Sequence, residues 1–187
     1  MRIYTRRGDD GSTGLLFGGR VAKDDVHVEA CGAIDESVAA LGLARAAGFQ
    51  APAMDDLIQR IQRNLFVVGA DLAILAENRS KLQPEVSEVT ERMVQDLEGE
   101  IDKMVSNHPL PDYFVLPGST QSAAALDMAR VLVRRAERRA VTLFRQAPGG
   151  GEKVLRYLNR LSDLLFVAAR AEEASSGRKA EPSRAKN

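Results

Sequence analysis

Tryptophan is missing from the chain, cysteine occurs once and histidine twice. The lone Cys31 excludes an intrachain disulfide framework and every multi-cysteine metal centre. His27 and His108 are too few for a histidine-built zinc or haem site, and neither stands in a Glu-x-x-His pattern, which removes a di-iron bundle. Aromatic residues make up 5% of the chain, leaving few platforms on which bases or sugars could stack. No sign of charge prevails: 26 Lys and Arg face 26 Asp and Glu. A protein whose main business is coating nucleic acid or an anionic membrane is therefore not expected. No run of about 18 apolar residues occurs, and Met1 to Asp10 carries charge and glycine where a secretory leader needs an apolar stretch. What remains is 187 residues, close to one domain at about 150 residues per domain. The expected compartment is reducing and cytoplasmic, with no nucleic acid or membrane as partner.

Apolar residues recur at helical steps over most of the chain. Ile34, Val38 and Leu41 begin the rhythm, and Leu57, Ile61, Leu65, Val68, Leu72 and Leu75 continue it in threes and fours. Pro84 predicts the start of a third helix carried by Val86, Val89, Met93, Leu97, Ile101 and Met104. Pro109, Pro111 and Pro117 break the pattern between Ser106 and Gly118, around the short apolar run Tyr113-Phe114-Val115-Leu116. A fourth helix is expected from an N-cap at Ser119 to Gln146, ended by Pro148-Gly149-Gly150-Gly151, and a fifth from Glu152 to Ala174. Ser175 to Asn187 is polar and is expected to be a disordered tail. The expected architecture is an all-α five-helix bundle spanning residues 1–174.

Three clusters could carry chemistry. Near the N-terminus, Gly8, Gly11, Gly14, Gly18 and Gly19 are interleaved with Thr5, Arg6, Arg7, Thr13, Arg20 and Lys23. Glycines let backbone N–H groups converge on a phosphate, while hydroxyls and cations add donors. Arg20-Val21 stands where a P-loop needs Lys followed by Ser or Thr, so the segment is not that motif. A Gly-rich leader or a plain hairpin accounts for it equally. On the fourth helix, Arg130, Arg134 and Glu137 share a face, with Asp127 and Arg138 at its margin and Arg135 and Arg139 further round. Arginines one turn apart repel unless an anion meets them, and arginine suits bidentate grip on phosphate or carboxylate. A solvated face offset by acids on a neighbouring helix is the alternative. On the fifth helix, Asn159 and Asp163 lie one turn apart, away from the Leu158/Leu161/Leu165 seam. That pattern suits either a ligand or an interhelical hydrogen bond.

Taken in order, these blocks resemble one family. Thr5-Arg6-Arg7-Gly8-Asp9 with Gly11, Thr13 and Lys23-Asp24-Asp25 is similar to the ATP loop of PduO-type ATP:cob(I)alamin adenosyltransferases. Glu29-Ala30-Cys31-Gly32-Ala33-Ile34-Asp35-Glu36 resembles that family's first-helix signature. The remaining blocks follow at Phe114-Val115-Leu116-Pro117-Gly118, Ala129-Arg130, Arg134-Arg135-Ala136-Glu137-Arg138-Arg139 and Tyr157-Leu158-Asn159-Arg160-Leu161-Ser162-Asp163. The likeness runs from about Ile3 to Arg170. Ser119 and Asp127 depart from it, where the family often has a second glycine and a histidine, and the Gly18-Gly19 pair sits one place later than in many members.

The resemblance implies a homotrimer of helical-bundle subunits that transfers the 5′-deoxyadenosyl group of ATP to the cobalt of a corrinoid and releases triphosphate. It implies that Thr5, Arg6, Arg7, Gly8, Thr13, Gly14 and Lys23 hold ATP phosphates from one subunit. Arg134, Arg135, Glu137, Arg138 and Asn159 would complete the ATP site from the neighbour. It further implies that Asp35 and Arg130 pair across subunits at the corrinoid, that Phe114 closes the lower face of the corrin, and that Mg²⁺ rides on the triphosphate. An electron-donating reductase is implied as a partner. Two rival readings use the same ingredients: another ATP-binding transferase or kinase, and a non-catalytic bundle that docks a partner through its arginine face.

Overall fold

Asp25 opens the first helix. Its carboxylate accepts from the His27 amide at 2.8 Å and pairs with the His27 ring Nδ1 at 2.8 Å, satisfying an amide that a helix start leaves without a partner. Partial burial pushes the Asp25 carboxyl up, but the bonds from His27 outweigh it and hold the group below the usual carboxylate range. In the computed structural model, which describes residues 3–184, five α-helices follow one another. They are α1 (Val26–Ala46), α2 (Met54–Leu72), α3 (Glu91–Asn107), α4 (Gln121–Gln146) and α5 (Glu152–Ser175). Before α1 stands an antiparallel hairpin of β1 (Ser12–Gly14) and β2 (Arg20–Ala22), with Thr13 opposite Val21. A six-residue 3-10 helix, Ala76–Lys81, follows α2.

The helices pack as a bundle in which α1 lies between α2 and α4, α5 lies between α4 and α3, and α2 also touches α5. Alanines let the central pairs approach closely. Ala30, Ala33, Ala40 and Ala44 of α1 and Ala123, Ala129, Ala136 and Ala140 of α4 are all buried. Larger side chains fill the rest of the core, among them Ile58, Ile61, Leu65, Leu126, Tyr157, Leu158, Leu161 and Leu165. Each such residue contributes about 1.5–3 kcal/mol through its removal from water. Two buried carboxylates tie loops to this core. Glu172 accepts from the amides of Gln50 and Ala51 at 2.9 and 3.0 Å and from Ser122 Oγ at 2.8 Å. Asp71 takes Arg79 Nη2 at 2.6 Å and the Val89 amide at 2.9 Å.

Three boundaries differ from expectation. Helix α3 begins at Glu91 rather than at Pro84, because the Gln83 carbonyl accepts from the amides of Val86, Ser87 and Glu88, closing a turn with Glu85 at φ 60°. A helix cannot run through that left-handed residue, and Thr90 caps the helix instead, accepting from the Met93 amide at 3.3 Å. The cap of α4 is Thr120, not Ser119, with its hydroxyl accepting from the Ala123 amide at 3.1 Å. The polar stretch after α5 also turns back in an ordered way. Gly177 (φ 67°) follows the cap Ser176, and two amides reach back, Gly177 to the Ala174 carbonyl at 3.0 Å and Arg178 to the Glu173 carbonyl at 2.9 Å. This is the paired Schellman closure. It sends the chain to β4 (Glu181–Pro182), antiparallel to β3 (Val115–Leu116). Residues 185–187 of the expected tail lie outside the described residues.

Candidate functional site

Glycines at positive φ, Gly11 (79°), Gly18 (106°) and Gly19 (92°), shape the N-terminal hairpin. The Lys23 amide donates to the Gly11 carbonyl at 2.9 Å. A Cβ on Gly8 would stand 3.3 Å from Lys23 Nζ and 3.1 Å from the Ser12 carbonyl oxygen, so glycine lets the ammonium lie against the backbone of the loop. Arg20 stitches the loop together by donating to the Arg7 carbonyl at 2.7 Å and to Ser12 Oγ. Hydrogen bonds from the Ser12 hydroxyl and amide hold the Asp10 carboxyl below its ordinary range. Thr5, Arg6 and Arg7 are exposed, with Arg6 in the left-handed region at φ 61°. Within this loop the structure therefore brings Gly8 and Lys23 together and leaves the Arg6 and Arg7 side chains free of ion pairs among the described residues. The Leu16 amide, donating to the Ala73 carbonyl at 2.8 Å, ties the hairpin to the end of α2.

On α4 the arginines sort into two sets. Arg135 pairs with Glu36 at 3.1 Å and Arg139 with Glu29 at 3.5 Å, both across to α1, so for these two the offsetting acids on a neighbouring helix are real. Arg134 and Arg138 are exposed and form no ion pair among the described residues. Beside them Asn159 Nδ2 of α5 donates to Glu137 Oε1 at 3.3 Å, and Asn159 Oδ1 accepts from Arg160 Nη1 at 2.9 Å. Arg160 is held in turn by Glu98 at 2.9 Å. Arg134, Glu137, Arg138 and Asn159 thus share one wall, while Arg135 turns toward α1. Among the described residues no hydrogen bond or ion pair joins residues 4–23 to the α4 arginines.

The third feature is a cleft of about 470 Å³ walled by Pro111, Tyr113, Phe114, Asp127, Arg130 and Phe166. Phe114 stands at its rim with 88% of its surface exposed. Arg130 Nε donates to Asp127 Oδ1 at 3.1 Å, so within the chain Arg130 is held by Asp127 and not by Asp35, which is exposed on α1. The other Asp127 oxygen takes Arg170 Nη2 at 2.7 Å, and Arg170 Nε donates to Glu173 at 2.7 Å. The Phe166 ring lies between the two guanidiniums, at 5.9 Å from Arg130 and 5.1 Å from Arg170. Phe114 and Arg130 were legible in the sequence, whereas Phe166, Arg170 and Glu173 were not. Only the odd aspartate at position 127 hinted at this buried network. Cys31 packs against the core, and burial, reinforced by the charge of Asp35, pushes its thiol up to about 11.

Comparison with known proteins brings these features together. The sequence profile of the cobalamin adenosyltransferase family matches residues 3–172. The chain is 44% identical over 180 residues to the corrinoid adenosyltransferase of Bacillus subtilis (strain 168), covering 95% of this chain and 89% of that one. It is 42% identical over 175 residues to a corrinoid adenosyltransferase of Citrobacter freundii, covering 93% and 96%. Its structure superposes with a TM-score of 0.88 on a variant PduO-type ATP:corrinoid adenosyltransferase from Lactobacillus reuteri complexed with cobalamin and ATP. That pair shares 32% identity and covers 98% of this chain and 100% of that one.

Proposed function

The chain belongs to the cobalamin adenosyltransferase family, and on that premise we propose that it transfers the 5′-deoxyadenosyl group of ATP to the cobalt of a reduced corrinoid, releasing triphosphate. Cobalt(I) supplies the electron pair. It attacks C5′, the cobalt–carbon bond forms as the C5′–oxygen bond breaks, and triphosphate leaves with the bonding electrons. No proton moves at the reacting centre, so the chain needs no side-chain base. Its work is to align two substrates and to meet the charge of the leaving group.

The arginine wall suits that second task. Arg134 and Arg138 present guanidiniums without carboxylate partners among the described residues, and Arg134, Arg138, Glu137 and Asn159 form the edge against which ATP is placed. Thr5, Arg6, Arg7, Gly8, Thr13, Gly14 and Lys23 supply the other half of the phosphate site. Among the described residues no hydrogen bond or ion pair joins the two halves within one chain, which supports a site completed between subunits of a trimer. Among the described residues no three His, Cys, Asp or Glu side chains gather as a metal cage. Mg²⁺ accompanying the triphosphate would draw its ligands largely from phosphate oxygens and water. The single observation that carries the corrinoid assignment is the cleft, where a nearly bare Phe114 ring faces Arg130 across apolar walls. Phe114 would lie against the lower face of the corrin and keep the axial base away, and Asp35 of a neighbouring subunit would compete with Asp127 for Arg130. A reductase supplies the electron that makes cobalt(I). No helix among the described residues is long and apolar enough to cross a membrane, and we place the reaction in the cytoplasm.

The test is anaerobic: purified protein, ATP, Mg²⁺ and chemically reduced cob(I)alamin, followed by corrin absorbance and a triphosphate assay. Adenosylcobalamin with equimolar triphosphate is the expected result. ADP or AMP as product, or ATP binding with an unchanged cobalt spectrum, would overturn the proposal.

A further inference from the structure

We infer that the C-terminal return segment, Lys179 to Ser183, is a positioning element for Phe114 and sets the angle at which that ring meets the corrinoid. The inference rests on Phe114 facing the corrinoid, as proposed above. The family match stops at residue 172, so this segment lies beyond it.

Phe114 needs an external hold. Its ring is almost wholly exposed, so side-chain packing does not fix it, and Pro109, Pro111 and Pro117 bar the surrounding loop from forming a helix of its own. The hold comes through the backbone. The Ser183 amide donates to the Phe114 carbonyl at 2.7 Å. Val115 and Leu116 pair with Pro182 and Glu181. On either side Tyr113 Oη donates to the Ala180 carbonyl at 3.1 Å and Ser119 Oγ to the Lys179 carbonyl at 3.3 Å. Contacts thus run from Tyr113 to Ser119, with Phe114 inside the braced stretch. The brace is itself aimed by the Gly177 closure at the end of α5, and α5 carries Phe166 of the same cleft. Loop and cleft wall are therefore referred to one helix, and a ring set in advance binds its ligand without first having to be ordered.

Ser183→Pro removes the one amide that meets the Phe114 carbonyl and leaves the chain at full length. The loss of one such bond is worth roughly fivefold to tenfold. A ring that holds off the axial base leaves cobalt(II) four-coordinate, so the expected result is a KM for cob(I)alamin raised by about that factor, an unchanged KM for ATP, and a smaller fraction of four-coordinate cob(II)alamin in the electron paramagnetic resonance spectrum of the ATP complex. Arg184→Pro, the same change one residue on, should leave all three as in the parent. Ser119→Ala should move the cob(I)alamin KM in the same direction by less. An unchanged KM and spectrum for Ser183→Pro would overturn the inference. So would equal rises in both KM values with a lowered thermal midpoint, which would mark a merely structural segment. A parent protein that adenosylates no corrinoid would instead overturn the functional proposal from which the inference starts.

Discussion

Arg134 projects a guanidinium that no acid among the described residues neutralises, although its neighbours Arg135 and Arg139 are each answered from α1. Such a group stores repulsion until an anion arrives. Arg134→Ala should therefore cost about 2–4 kcal/mol of transition-state stabilisation, by analogy with removal of one preorganised donor. Steady-state kinetics should show kcat/KM lower by about 30- to 900-fold, with a thermal midpoint no lower than the parent's. Cys31 offers the opposite case of a reactive group kept inert. Its thiol, pushed up to about 11 by burial and by Asp35, stays protonated through neutral pH. Only the thiolate attacks an alkylating reagent. Iodoacetamide at pH 8 should leave Cys31 unmodified in the native protein and modify it in denaturant, as mass spectrometry would show.

At the level of elements, the helices were legible because an apolar face repeats every three or four residues over 17 residues or more, as in α3. Turn chemistry moved the edges, at Pro84 and at Ser119, where a proline and a serine each had a competing reading that local hydrogen bonding decides. Strand β4 was not legible, since two residues carry no period and their partner lies far off in the chain. Gly177 was the signal that could have been used: a glycine just past the last periodic residue is what a Schellman closure asks for. Gly177→Ala meets open space but must hold φ near 67°, a conformation that costs an L-residue about 1–2 kcal/mol. Denaturant unfolding should show that loss in full. The candidate site was legible as a set of residue types on α4. Its sorting was not, because whether an arginine is free depends on Glu29 and Glu36 of another helix. Similarly, Asp127 acquired its meaning only when α5 brought Arg170 and Phe166 beside it.

For the whole molecule, the proposal that the N-terminal loop holds phosphates, while no described bond joins that loop to the arginine wall within one chain, makes a distinctive prediction about mixtures. Light scattering should give three times the subunit mass. A chain altered at Arg6 and Arg7 and a chain carrying Arg134→Ala should each be nearly inactive alone. Unfolded together and refolded at equal amounts, they should regain activity on the order of a quarter of the parent's, since a sound loop meets a sound wall at one interface in four under random assembly. A site contained in one chain would regain none. The bundle that supports this arrangement keeps one loop unusually still. The buried Glu172 carboxylate receives the amides of Gln50 and Ala51, which stand between α1 and α2. In heavy water those two loop amides should take up deuterium as slowly as the helix interiors around them, opening only when the bundle itself does. By exchange rate, then, the boundary of the core runs through a loop.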